Sequence, residues 1–266
     1  MSIKVNDKLL SSFNFSGGEV QVTIPEELML GARIEVKLES SNDILELLMV
    51  NNALNKCFEA QNYYKGLIMP YVPYARQDRV MNIGEALGIE VMAELINSIK
   101  ADSVEIWDPH SDVTSALIKN VKIIQPIKFL NNVLGPMGKS VILVAPDAGA
   151  AKKVSKLGQE YKLLVVQAMK VRDVTTGNIS GTEVYTDHVG DKDFFIIDDI
   201  CDGGRTFIEL AKKLREKTTG KIYLYVTHGI FSKGLEVFTG LIDKIFCPNI
   251  WSNVQRTEIL QEIYVQ

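Results

Sequence analysis

Short apolar segments alternate with amphipathic ones along most of this chain, and that alternation limits its fold more than any other feature. Gly66–Pro70, Ser103–Trp107, Ser140–Ala145, Leu163–Gln167, Phe194–Asp198 and Lys221–Thr227 read as strands. Asn42–Gln61, Ala86–Lys100, Gly149–Leu157 and Thr206–Lys217 read as helices. In the first of these, Leu45, Leu47, Leu48, Val50 and Leu54 fall at helical spacing, and Ser41 and Asp43 are candidate caps. Val20–Ile24 and Arg33–Leu38 alternate polar and apolar residues, as half-buried strands do. Strands alternating with helices predict an α/β fold, with mainly parallel sheets flanked by helices. A breaker-rich stretch, Pro136-Met137-Gly138, suggests a hinge, so two domains are predicted, residues 1–135 and 136–266. Ligands of such folds sit beyond the carboxyl ends of strands, and the polar residues just past each strand are therefore the candidates for chemistry.

Composition narrows the class. Net charge is −4, which argues against a general affinity for nucleic acid or anionic membrane, so any phosphate must be held by a local loop. Cys57, Cys201 and Cys247 are far apart and lack paired spacing, which argues against a disulfide framework or zinc site and fits a reducing cytoplasm. The N-terminus does not read as a signal peptide, and no run approaches the ~18 apolar residues of a membrane span.

The sharpest segment runs from Phe194 to Phe207 (FFIIDDICDGGRTF). An apolar strand enters two acids, then Asp202-Gly203-Gly204-Arg205-Thr206 opens a helix. Glycines let successive N–H groups converge on one anion, and the helix start adds its dipole. Asp198 and Asp199 would repel a phosphate, but they suit ribose hydroxyls or a water-bridged Mg²⁺. The string resembles the phosphoribosyl-binding signature shared by type I phosphoribosyltransferases and ribose-phosphate diphosphokinases (PRPP synthases), and it does not separate the two.

Other strand ends choose between them. Pro70–Arg79 (PYVPYARQDR) resembles the diphosphokinase segment whose Arg-Gln contacts ATP, which implies ATP-binding roles for Arg76, Gln77 and Asp78. Trp107-Asp108-Pro109-His110 resembles the segment whose histidine helps bind Mg-ATP. Ala145–Lys153 is similar to the family's SPDxGGxxRA segment. There Asp147 is a metal-side or ribose-side carboxylate, a helix N-cap, or both. Lys170 and Arg172 resemble the Lys-x-Arg pair at the base of a loop that closes over the reaction, here followed by 173–178. Thr227–Ser232 matches THxIFS. Phe15–Glu19 resembles FSDGE, whose counterpart reaches ATP across a subunit interface.

The resemblance spans residues 13–250. It implies two type I phosphoribosyltransferase-like domains, an ATP side first and a ribose-phosphate loop second. It implies transfer of a diphosphoryl group from Mg-ATP to the C1 hydroxyl of a ribose 5-phosphate unit, with AMP released. Lys170 and Arg172 would act on the transferring group, with His110 and Asp147 at Mg²⁺. Asp198, Asp199, Asp202, Gly203, Gly204, Arg205 and Thr206 would hold the acceptor. Assembly as a homodimer or larger is expected.

Three departures stand out. The family's first GNA-containing unit is shortened or missing. FSDGE has become FSGGE, and Arg205 replaces a loop glycine. Arg205 either turns to solvent or offers a donor fork to a second phosphate. The second option keeps ADP-ribose beside ribose 5-phosphate as acceptor, a chemistry suited to NAD salvage. A PRPP-consuming phosphoribosyltransferase would not need the ARQDR and Lys-x-Arg segments. A catalytically silent subunit would not need Lys170, Arg172, His110 and Asp202.

Overall fold

The structure, a computed structural model, describes residues 2–28, 32–40, 43–57, 63–172, 179–251 and 253–264. The chain divides into two compact units, Met1–Ile124 and Gln125–Gln266.

In the first unit the described elements are β1 (Ser2–Val5), β2 (Lys8–Leu9), β3 (Ser12–Asn14), β4 (Val20–Val22), β5 (Ala32–Lys37), α1 (Asp43–Cys57), β6 (Lys65–Ile68), α2 (Gly88–Ser98), β7 (Ser103–Trp107), α3 (Asp112–Leu117) and β8 (Val121–Ile124). Strand order is β2-β1-β5-β6-β7-β8; β5 through β8 are parallel, and β1 joins antiparallel to β5. Each step after β5 moves the same way across the sheet. Ile34, Leu67 and Ile106 on three neighbouring strands are buried, and α1 packs Leu47, Val50 and Leu54 into the same core. On α2, Ile89, Met92, Ala93 and Ile96 recur at three- and four-residue spacing and form the buried stripe. A fully buried aliphatic side chain of this kind contributes about 1.5–3 kcal/mol. Strands β3 and β4 form a separate hairpin.

The second unit contains α4 (Ile127–Met137), β9 (Val141–Ala145), α5 (Ala148–Tyr161), β10 (Leu164–Arg172), β11 (Ile179–Val184), β12 (Asp193–Cys201), α6 (Arg205–Arg215), β13 (Ile222–Gly229), β14 (Lys244–Cys247), β15 (Asn249–Ile250) and β16 (Leu260–Glu262). Strand order is β11-β10-β9-β12-β13-β14-β16, parallel except for the β10–β11 pair. All five residues of β9 are buried, as expected of a strand covered on both faces. From β9 the chain crosses to β10 on one side, and from β12 it crosses to β13 on the other. The order therefore reverses between β9 and β12, which makes a topological switch point.

Several boundaries differ from the sequence expectations for physical reasons. Pro136 lies in the last turn of α4, where little helix remains to break, and Gly138 (φ 66°) ends it. The units divide before α4, at Ile124, not at the expected 135/136 boundary. Strand β12 runs past both acids to Cys201 because its ladder with β13 continues to Gly229. Asp43 does not cap α1 forward; its Oδ2 accepts from the preceding Glu39 and Ser40 N–H groups at 2.8 and 3.0 Å. Ser41, Asn42 and the 58–61 part of the expected first helix lie outside the described residues.

Candidate functional site

In the second unit the switch point places two segments at the strand ends. Asp147 follows β9, and the acidic-glycine loop follows β12. Asp147 takes the N-cap of α5, with Oδ1 accepting from Ala150 N–H at 3.2 Å, so the capping role is filled. Asp198 Oδ1 accepts from Asp199 N–H at 2.9 Å. Asp199 is buried, and Asp198 keeps a partial opening to solvent while protein encloses most of its carboxyl. Burial pushes the Asp198 carboxyl well above the usual range, the Asp199 charge adds to this, and Lys153 pulls partly the other way.

Beyond Cys201 the backbone turns through Asp202 and Gly203 to Gly204, whose φ of 75° and ψ of −1° suit glycine. A Cβ there would sit 2.5 Å from the Phe238 ring. No side chain caps α6, which leaves its first-turn N–H groups for an anion. Thr206, the expected hydroxyl donor, is half-buried in that turn. Asp202 Oδ1 accepts from Ser232 Oγ at 2.6 Å, which fastens the turn after β13 onto the loop. Arg205 is exposed, and its Nε donates to Glu209 Oε1 at 2.8 Å one helical turn on.

Within the Thr227–Ser232 segment, Thr227 and His228 are buried. The His228 Nδ1 pairs with Asn249 Nδ2 at 3.0 Å; the amide nitrogen must donate, so the imidazole proton sits on Nε2. Lys170 and Arg172 belong to β10, where Lys170 is registered with Thr182 of β11 and the ladder is irregular between Val171 and Arg172. Their side chains, and residues 173–178, lie outside the described residues.

In the first unit the loop after β6 folds into a turn. Gln77 N–H donates to the Tyr74 carbonyl at 2.8 Å, and buried Val72 and Ala75 anchor it. Tyr74 has φ 63°, and buried Asp108, after β7, has φ 39°. Non-glycine residues held in this region cost of order 1–2 kcal/mol each. The two turns frame an open cavity of about 660 Å³ lined by Arg76, Gln77, Asp78 and His110. These four are the cavity-side residues the sequence singles out. Arg79, Met81, Glu85 and Ala86 complete the wall; Arg79 was part of the motif, and the others carried no signal. Glu85 accepts from the Asn82 side-chain amide and from the Met81 and Asn82 N–H groups at 2.9 and 3.0 Å, which fixes the loop; the Asn82 side chain first, and then the two N–H groups, hold its carboxyl below the usual range.

Burial pulls the Asp78 carboxyl upward, but Ser111, Arg79 and His110 together hold it below the usual range. Ser111 Oγ is buried without a bond of ordinary geometry, so we read its effect on Asp78 as electrostatic. Arg79 Nε donates to Asp78 at 3.1 Å. Phe15 and Glu19 sit at the turn of the β3–β4 hairpin, where Phe15 N–H donates to the Glu19 carbonyl at 2.9 Å, and neither lines the cavity. Among the described residues no cluster of three or more His, Cys, Asp or Glu could hold a metal ion. No helix is long and apolar enough to cross a membrane.

Helix-flanked, mainly parallel sheets with polar residues at the strand ends give both units a type I phosphoribosyltransferase-like fold. The phosphoribosylpyrophosphate synthetase of Mycobacterium smegmatis shares the fold across 95% of this chain and 84% of its own, with a TM-score of 0.80 at 20% identity. The family model of the phosphoribosyl synthetase-associated domain matches residues 181–255. The ribose-phosphate pyrophosphokinase of Listeria ivanovii is 29% identical over 82% of this chain and 69% of its own length. That of Sulfolobus acidocaldarius is 27% identical over 82% and 75%, and that of Pyrococcus furiosus 27% identical over 94% and 88%. In sequence the chain is similar to ribose-phosphate pyrophosphokinases over most of its length, and in fold to a phosphoribosylpyrophosphate synthetase.

Proposed function

We propose that this enzyme transfers the β,γ-diphosphoryl group of Mg-ATP to the C1 hydroxyl of ribose 5-phosphate, forming PRPP and releasing AMP. The observation that carries the reading is the uncapped glycine loop beside an acid pair at the switch point. It suits a phosphate monoester on one side and sugar hydroxyls on the other.

The 5-phosphate takes the Gly203–Thr206 N–H groups and the Thr206 hydroxyl. Asp198 and Asp199 accept from the ribose hydroxyls and set the C1 oxygen for in-line attack. That oxygen forms a bond to the β-phosphorus as its proton passes to a nearby carboxylate, the bond from β-phosphorus to the α,β-bridging oxygen breaks, and AMP leaves with the electron pair. Arg76 and Gln77 hold the nucleotide, and Lys170 and Arg172 stabilise charge on the transferring oxygens. The phosphate charge is partly neutralised by Mg²⁺ that enters with ATP. His110 and Asp147 are its proposed protein contacts. Phe15 and Glu19 are assigned to the ATP of another copy, so at least a dimer is the proposed active form.

The test is AMP release from Mg-ATP with ribose 5-phosphate and with ADP-ribose offered separately. Release with ribose 5-phosphate is expected; release with ADP-ribose alone would transfer the assignment to the diphosphate acceptor and NAD salvage. Lys170→Ala should lower turnover about 100-fold or more while ATP binding survives. Unchanged turnover would remove Lys170 from the mechanism.

A further inference from the structure

We infer that Lys233 is a contact for the acceptor's phosphate and a determinant of acceptor affinity. The inference rests on the reading of the loop as a sugar-phosphate site.

Charge poses the problem. Asp198, Asp199 and Asp202 stand within five residues of one another, and a phosphate monoester brings up to two more negative charges to the same loop. One uncapped helix end supplies only about half a positive charge. The local cations do not all face this need. Lys153 acts on Asp198, at the sugar side of the loop. Arg205 lies on the outer face of α6, bonded to Glu209.

Lys233 lies alongside the loop itself. A Cβ built on Gly203 would be 3.4 Å from Lys233 Cγ and 3.9 Å from its Cε. The aliphatic stem therefore runs along the bare edge of Gly203, and the ammonium lies one bond beyond Cε. The turn that carries it is fixed at both ends. Phe231 is buried with φ 45°, Gly234 N–H donates to the Phe231 carbonyl at 2.8 Å, and Ser232 bonds Asp202 at 2.6 Å. Among the described residues Lys233 has no ion-pair partner. A Cβ at position 203 would meet this stem at van der Waals distance, so the lysine packs directly over the face of the loop that the glycine leaves bare.

The experiment is calorimetric titration of ribose 5-phosphate into the full chain, with Lys233→Met and Lys233→Arg beside the unsubstituted protein and ADP as a nucleotide control. Lys233→Met should bind ribose 5-phosphate about tenfold more weakly and ADP unchanged, as expected for one charge-assisted contact. Lys233→Arg should stay within about threefold, since the charge is kept. Equal ribose 5-phosphate affinity in Lys233→Met, with AMP release intact, would overturn the role of Lys233 and leave the loop assignment standing. Failure of the unsubstituted protein to bind ribose 5-phosphate would remove the loop assignment and this inference together.

Discussion

After β12 the second unit turns through Gly203 and Gly204 and presents backbone N–H groups. After β6 the first unit turns through Tyr74, strained at φ 63°, and presents the side chains of Arg76, Gln77 and Asp78. Both turns stand at strand ends of helix-flanked sheets, but the proposed phosphate site of one is built chiefly on main chain and the cavity of the other on side chains. A main-chain site depends on the path of the backbone itself, so disturbing it disturbs the fold. A side-chain site can lose one group while its scaffold stands.

The largest break in that comparison should come from Gly204→Ala. The new Cβ would meet the Phe238 ring at 2.5 Å and hold a left-handed φ that alanine disfavours. We expect a stability loss of about 2–4 kcal/mol and loss of acceptor binding. Thermal melting and acceptor titration check both; normal binding in a destabilised protein would mean that the phosphate does not rest on this turn. Gly88→Ala is the counterpart in the first unit. Its Cβ would fall 2.3 Å from Gln77 Oε1, the far end of a flexible side chain that can swing away, and 3.1 Å from Tyr74 Cδ1, a ring that need give only a few tenths of an ångström. Melting should scarcely change, while KM for ATP rises about five- to tenfold. A stability loss equal to that of Gly204→Ala would erase the distinction between the two sites.

The same distinction explains what could be read from the sequence. An anion site made of backbone needs glycines at fixed places after a strand, so residues 198–206 announce themselves. The first unit's cavity is legible only at Arg76, Gln77, Asp78 and His110, through resemblance. Met81 and Glu85 reach the wall because the loop folds back, which leaves no local pattern. Lys233 meets Gly203 across 30 residues of sequence, through a turn held by the Ser232–Asp202 bond, and no spacing rule connects them. The long parallel strands were clear, whereas α3, β8 and the closing strands β14–β16 are short and take their form from neighbours in the sheet.

A smaller effect should come from the acid pair. Because burial and Asp199 raise the Asp198 carboxyl, the folded protein holds that proton more tightly than the unfolded chain. The stability this contributes is present below the ordinary carboxylate range, near pH ~4, and is lost as pH rises through the raised folded value. The ligand-free protein should therefore lose stability over that window, and Asp198→Asn should flatten the dependence and melt higher at neutral pH. Denaturant titrations from pH 4 to about 8 test this. An unchanged slope in the variant would place the buried charge elsewhere. The result sharpens the comparison, since the second unit would then carry at its sugar side a charge cost that ligand hydroxyls relieve.

The smallest expected effect is at Arg205, the one cation that the loop sequence itself offers. Its Nε is bonded to Glu209 on the exposed face of α6, an arrangement that helix spacing alone accounts for. If the main chain and Lys233 hold the phosphate, Arg205→Ala should leave melting unchanged and move KM for ribose 5-phosphate by less than about twofold. ADP-ribose gives the contrasting arm. A second phosphate would have to draw the guanidinium away from Glu209, and an acceptor that did so would lose affinity about tenfold in Arg205→Ala and gain it when Glu209→Gln frees the fork. Paired effects of that kind, confined to ADP-ribose, would show a second phosphate held by a side chain alone, and the contrast between the two units would weaken.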